Sequence, residues 1–176
     1  MNTKPDYNRL YEIAEEQAGH FTAAQAREAG FSWERLSNSV KSGKFQRIAA
    51  GVYRLTLFPH QPHEDLFAAW LSAGPQAVVS HQSALAYYDL SDVLPGEVHL
   101  IIPSTASRRR ENIRLHTHRL APDEITVRGG LRVTTAARTI ADAASGGLAE
   151  ELVRQAVREA LQRGMVSVSE LAAQAE

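Results

Sequence analysis

The sequence predicts an α+β protein: three short helices and a β-hairpin at the N-terminus, followed by a small mixed α/β C-terminal domain. Three observations predict it. Apolar residues recur at helical spacing up to residue 43, and glycines cut that pattern into short pieces. A segment rich in β-branched and aromatic residues then folds about Ala50-Gly51. Beyond Pro59 and Pro62, helical and strand patterns alternate to the end of the chain.

The first helix is expected over residues 6–18, because Tyr7, Leu10, Tyr11 and Ala14 share a face while Glu12, Glu15 and Glu16 turn outward. Gly19 stops it. Thr22 is a good N-cap for a second helix of strong helix formers, which Gly30 ends. Ser32 caps a third helix from Trp33 to about Ser42, with Trp33, Leu36 and Val40 toward the core and Glu34 favourably near the positive helix end. Two short strands then flank the tight Ala50-Gly51 turn. The junction at 57–62 separates a first domain, 1–57, from a second, 63–176.

In the second domain, residues 63–73 and a segment capped by Ser80 and ending near Tyr88 read as helices. Residues 97–103 and 110–119 read as strands, and Gly129-Gly130 turns a hairpin. Thr135 is expected to cap a helix to Ala144, residues 150–163 form an amphipathic helix, and Ser167 or Ser169 caps a last short one.

Composition narrows the function. The chain has no cysteine, which excludes disulfides, thiolate catalysis and iron–sulfur ligation, and fits a reducing cytoplasm. The charged N-terminus lacks the apolar core of a signal peptide, and no run approaches the ~18 apolar residues of a membrane span. The net charge of −1 hides an uneven distribution. Residues 1–56 carry +2, residues 57–107 carry −5 without a single Lys or Arg, residues 108–138 carry +5 and the remainder −3. Two basic islands can still meet a polyanion locally, because screening at physiological salt acts over about 8 Å.

Two short helices joined by a tight glycine turn, followed by a hairpin, make a winged helix-turn-helix, and Ala29-Gly30-Phe31-Ser32 supplies the turn. Arg35, Ser37, Asn38, Lys41 and Ser42 are left on the outer face of the third helix. Arg and Asn suit bidentate reading of guanine and adenine edges. Lys41, Lys44, Arg47 and Arg54 are candidates for phosphate contacts. Thr22, Gln25 and Ser32, at the starts of the second and third helices, complete the candidate set. Arg108, Arg109 and Arg110, with Arg114 and Arg119, form the second basic island. It reads as a solvated surface, a second phosphate contact or a docking patch, and the acidic stretch 57–107 could neutralise it within the chain.

The segments FTAAQAREAG (21–30) and RIAAGVYRL (47–55) resemble the N-terminal winged helix-turn-helix of the AbiEi family, the antitoxins of type IV toxin–antitoxin, abortive-infection systems. VVSHQSALAYYDL, VHLIIP, GLRVTTAARTIADAA and ELVRQAVREALQRGMVSVSEL are similar to the central region of the same group. The resemblance implies a cytoplasmic repressor of its own operon that binds double-stranded operator DNA with inverted repeats. It also implies a nucleotidyltransferase-like toxin as partner, with antitoxin activity involving the C-terminal part. A stand-alone winged-helix regulator without a toxin is the first rival reading. A nucleic-acid-processing enzyme is the second, and no pair of catalytic carboxylates supports it.

Other constellations are weaker. Of seven histidines, His60 and His63 are spaced i, i+3 beside prolines, and His116 and His118 share one face of an expected strand. No carboxylate motif accompanies them, so solvated or core-satisfied histidines are expected, with no metal and no cofactor. Ser80-His81 with Asp89 lacks a nucleophile elbow, and Ser80 reads better as a cap. The protein is therefore expected not to be an enzyme.

Overall fold

Asp6 opens the first helix, α1 (Tyr7–Glu15), by accepting the Arg9 N–H at 2.9 Å. In the computed structural model, which describes residues 4–104 and 111–174, the chain divides into two compact units, Met1–Pro75 and Gln76–Glu176.

The first unit continues with β1 (His20–Thr22), α2 (Ala23–Glu28), α3 (Trp33–Lys41), β2 (Phe45–Ala49), β3 (Val52–Leu55) and α4 (Glu64–Ala73). Its three strands form an antiparallel sheet in the order β1-β3-β2. The sequence did not announce β1. Three residues are too few to show a period, and only the pairing of Phe21 with Tyr53 and of His20 with Arg54 makes them a strand. Thr22 caps α2 as expected, in a reciprocal box. Its hydroxyl accepts the Gln25 N–H, and its own N–H donates to Gln25 Oε1 at 2.8 Å. The wing turn is tied to the same helix start, because the Ala23 N–H donates to the Gly51 carbonyl at 2.9 Å.

Gly30 sits in the turn between α2 and α3 with φ +83°. A Cβ there would lie 2.9 Å from the Lys4 carbonyl oxygen, so the close approach requires glycine. Leu10, Ala14, Phe21, Ala26, Phe31, Leu36, Phe45 and Tyr53 form the core. Phe21 sits edge-on to Phe45 at 5.0 Å between centroids, an arrangement that adds to simple burial. One core expectation fails. Trp33 is 60% exposed, because it lies on the first turn of α3, outside the arc that Leu36, Ser39 and Val40 turn inward.

The division falls after Pro75 rather than at the 57–62 junction, since α4 packs against all three strands of the first sheet. Phe58, inside the expected linker, is buried, and a Cβ on Gly19 would strike its ring at 2.7 Å.

The second unit contains β4 (Val78–Val79), α5 (His81–Tyr88), β5 (Val98–Ile102), β6 (Ile113–Thr117), β7 (Ile125–Arg128), β8 (Leu131–Thr134), α6 (Ala136–Ser145), α7 (Glu150–Gln162) and α8 (Val168–Ala173). They build a five-stranded mixed sheet in the order β6-β5-β4-β8-β7. β5 and β6 are parallel neighbours, as are β4 and β8, while β4–β5 and β7–β8 are antiparallel. Gly129 and Gly130 both have positive φ, which suits the tight turn expected there. β4 was not foreseen, being only two residues long.

Two caps differ from expectation. Ser80 holds the N-cap position of α5 without bonding a helical N–H; its hydroxyl lies 2.9 Å from His81 Nδ1 instead. Thr135 likewise makes no side-chain cap bond to α6, whereas Ser167 does cap α8. Among the described residues, no helix is long and apolar enough to cross a membrane.

Candidate nucleic-acid interface and the histidine-lined cavity

Helix α3 presents Arg35, Ser37, Asn38 and Lys41 to solvent and buries Leu36 and Ser39. Ser32 is exposed, but its hydroxyl accepts the Arg35 N–H at 3.2 Å, so one lone pair already serves the cap. Lys44 and Arg47 are exposed beyond the helix. Arg47 lies on β2, at the edge of the sheet, where a charged side chain also discourages edge-to-edge pairing. The Lys44 ammonium is 5.8 Å from the centroid of the Tyr7 ring.

Three expected contacts stand differently. Arg54 is 3% exposed and turned into the first unit. Its guanidinium donates to the carbonyls of Phe58 at 2.7 Å and Leu55 at 3.3 Å, and Glu64 lies at 3.5 Å. It is a structural arginine that closes the segment after the wing, and it cannot reach a phosphate from there. A basic residue in a strand reads the same in sequence whether it faces solvent or core. Thr22 and Gln25 are half-buried and spend their polar atoms internally: besides the cap, the Gln25 carboxamide bonds that of Gln17 in both directions. Arg108, Arg109 and Arg110 lie outside the described residues.

The structure adds one pair that the sequence reading missed. Arg27, exposed on α2, places its guanidinium 5.9 Å from the ring centroid of exposed Trp33 on α3. The spacing i, i+6 across a turn is no helical repeat, so only the fold reveals it.

The second unit gathers histidines. In the parallel register, His99 pairs with Arg114 and Ile101 with His116, so His99 and His116 lie diagonally on one face of β5 and β6. His81, the first residue of α5, sits over that face. Its ring stacks on that of His116 at 3.7 Å. His99 Nδ1 and His116 Nε2 are 3.2 Å apart. His118, expected to share a strand face with His116, falls beyond the end of β6 and outside the cluster. Burial first, and the charges of neighbouring rings and arginines second, push His81 down to about 3 and His116 down to about 4. Burial and then Arg114 also lower His99. All three rings are therefore neutral at pH 7.

These rings open onto a cavity of about 580 Å³ whose wall also carries Arg114, Arg138 and Asp142. Arg138 donates to Asp142 Oδ1 at 2.8 Å and Glu124 Oε1 at 2.6 Å. Asp142 Oδ2 is buried with no hydrogen-bond partner. Asp89 caps the far end of α5 and cannot join Ser80 and His81, because the 8-residue helix lies between them at ~1.5 Å per residue.

Residues 8–56 match the profile of the family described as transcriptional regulator, AbiEi antitoxin. The match runs from α1 to the end of β3, the segment whose residues carried the resemblance. No curated protein matches the chain.

Proposed function

We propose, on the premise that residues 8–56 carry an antitoxin-type regulator domain, that this chain binds double-stranded operator DNA through α3 and the β2–β3 wing and represses its own operon. The observation that carries the proposal is the two-sidedness of α3. Leu36 and Ser39 fix the helix to the core, while Arg35, Ser37, Asn38 and Lys41 stand free. A helix held this way fits a major groove about 12 Å wide, with Arg35 and Asn38 able to read base edges. Lys41, Lys44 and Arg47 then neutralise phosphates, which positions the protein without specifying sequence.

In this reading the protein regulates rather than catalyses, works in the cytoplasm and requires no cofactor for DNA binding. Its second partner is a nucleotidyltransferase-like toxin encoded nearby, in a type IV arrangement. The test is nuclease footprinting of the region upstream of its own gene. The expected result is protection of an inverted repeat. Equal affinity for that region and for a scrambled duplex would overturn the proposal. Growth rescue on co-expression with the neighbouring toxin checks the antitoxin role, and a chain that binds its operator but rescues nothing is a stand-alone regulator.

A further inference from the structure

We infer that His81, His99 and His116 form a binding site for one divalent transition-metal ion of the zinc class, with a fourth coordination position open to the cavity.

Three different elements deliver the ligands: the start of α5, β5 and β6. One nitrogen from each ring lies within 4.8 Å of the others. A tetrahedral site with metal–nitrogen bonds of about 2.0–2.1 Å has nitrogen–nitrogen edges of about 3.3 Å. The His99–His116 edge is already 3.2 Å, and the His81 ring, stacked on that of His116, must turn to present its nitrogen to the same ion. Imidazole nitrogens suit zinc, copper, nickel and iron, whereas calcium and magnesium require oxygen.

Two observations beyond the cluster point to a ligand. Asp142 is 8% exposed, lines the same cavity and keeps Oδ2 without any donor. It is an acceptor in the cavity wall that no protein donor completes. His81 has a left-handed backbone, φ +50°, at a buried position. Non-glycine residues in this region concentrate where a side chain must be aimed. Ser80 Oγ, 2.9 Å from His81 Nδ1, supplies the kind of hydrogen bond that orients a ligating imidazole and leaves Nε2 for the metal. Repulsion is limited: Arg138 is neutralised by Asp142 and Glu124, which leaves exposed Arg114 as the facing arginine among the described residues that line the cavity.

The three rings also explain why sequence spacing failed to show the site. His81, His99 and His116 are 18 and 17 residues apart, and no local motif joins them. His116 and His118, adjacent in pattern, are not partners in the cluster.

The test uses the full chain, stripped with a chelator and titrated with Zn²⁺ and Co²⁺ by calorimetry and visible absorption. One ion per chain with a tetrahedral Co²⁺ spectrum is expected. Ser80→Ala should weaken binding by roughly 10–100-fold, and His81→Ala, His99→Ala or His116→Ala by at least as much, while His118→Ala leaves it unchanged. Because a ligand variant can unfold the second unit, histidine ¹⁵N spectra of the wild type provide an independent check. Zn²⁺ should move the signals of His81, His99 and His116 and spare His20, His60, His63 and His118. Binding that survives the triple alanine variant, shifts at other histidines, or no binding of either ion would each overturn the inference.

Discussion

Arg27 lies 5.9 Å from the ring centroid of Trp33, across the turn that joins α2 to α3. The pair is solvent-exposed and stands beside the face proposed to enter the groove. An exposed cation–π contact is worth about 0.5–1 kcal/mol. Trp33→Ala should therefore lower the stability of the first unit by no more than ~1 kcal/mol, yet weaken DNA binding. Titration of operator duplex into the wild type, followed by tryptophan fluorescence, should quench or shift Trp33. An unchanged spectrum at saturating duplex would place Trp33 away from the interface.

Helix and wing residues should differ in kind. Asn38→Ala and Arg35→Ala are each expected to cost ~1–3 kcal/mol on the operator at one base position and little on scrambled duplex. Lys44→Ala and Arg47→Ala should weaken both duplexes and flatten the logarithmic salt dependence by about 0.9 per lost phosphate contact. Affinity measured on both duplexes across a salt series separates the classes. Equal losses on both duplexes for the helix variants would remove α3 from base reading.

Arg54 should behave as a fold residue. Arg54→Ala leaves the buried Phe58 carbonyl without its donor and Glu64 without its cation. An orphaned buried acceptor costs ~1–3 kcal/mol, so the first unit should melt earlier by thermal denaturation. Its salt slope for DNA, measured below the melt, should match wild type. A flatter slope would mean that Arg54 reaches phosphate after all.

His20 predicts a pH dependence. It is 2% exposed, and its Nδ1 lies 3.2 and 3.1 Å from the Gln17 and Ala18 carbonyl oxygens. Burial chiefly, with help from Arg54, holds its pKa below the usual 6.5, although the two carbonyls and Glu64 oppose the shift. Above pH 6.5 the ring is neutral in both folded and unfolded chains. Below it, the unfolded chain takes up a proton that the folded chain resists, so stability falls as pH falls. Glu64, held below its usual 4.5, adds its own loss only at more acid pH. Both tryptophans, Trp33 and Trp70, belong to the first unit, so their fluorescence reports its melting alone. The melting temperature should drop between pH 7.5 and 5.5, and His20→Gln should flatten the trend. A pH-independent melt would refute the assignment.

Much of the first unit was legible because its signals are local. Thr22, Ser32 and Gly30 mark helix starts and a turn by chemistry that acts over three or four residues, and Ala50-Gly51 marks the wing. What failed was non-local. β1 exists only through its pairing with β3. Arg54 is structural only because the chain after the wing folds back and brings Phe58 and Glu64 to it. Trp33 looked like core because a large apolar residue at a helix start fits an inward stripe, and only the packing of Leu36 and Ser39 sets the true angle of that stripe. The histidine cluster required the parallel register of β5 and β6, which no window of sequence contains.

The bond from the Ala23 N–H to the Gly51 carbonyl has a kinetic consequence. It fastens the tip of the wing to the start of α2, while β1 runs the length of β3, with Thr22 beside Val52 near the tip and His20 beside Arg54 near the root. Leu36 of α3 shares the core with Phe45 and Tyr53 of the wing strands, so α2, α3 and the wing form one packed unit. A protein whose contact elements are already set in their binding arrangement loses little internal freedom on docking, and the gain appears as affinity. Association then needs one orientational search rather than a first landing followed by the closing of a loose arm. Lengthening the wing beyond Gly51 would break that fastening and turn a single docking event into two.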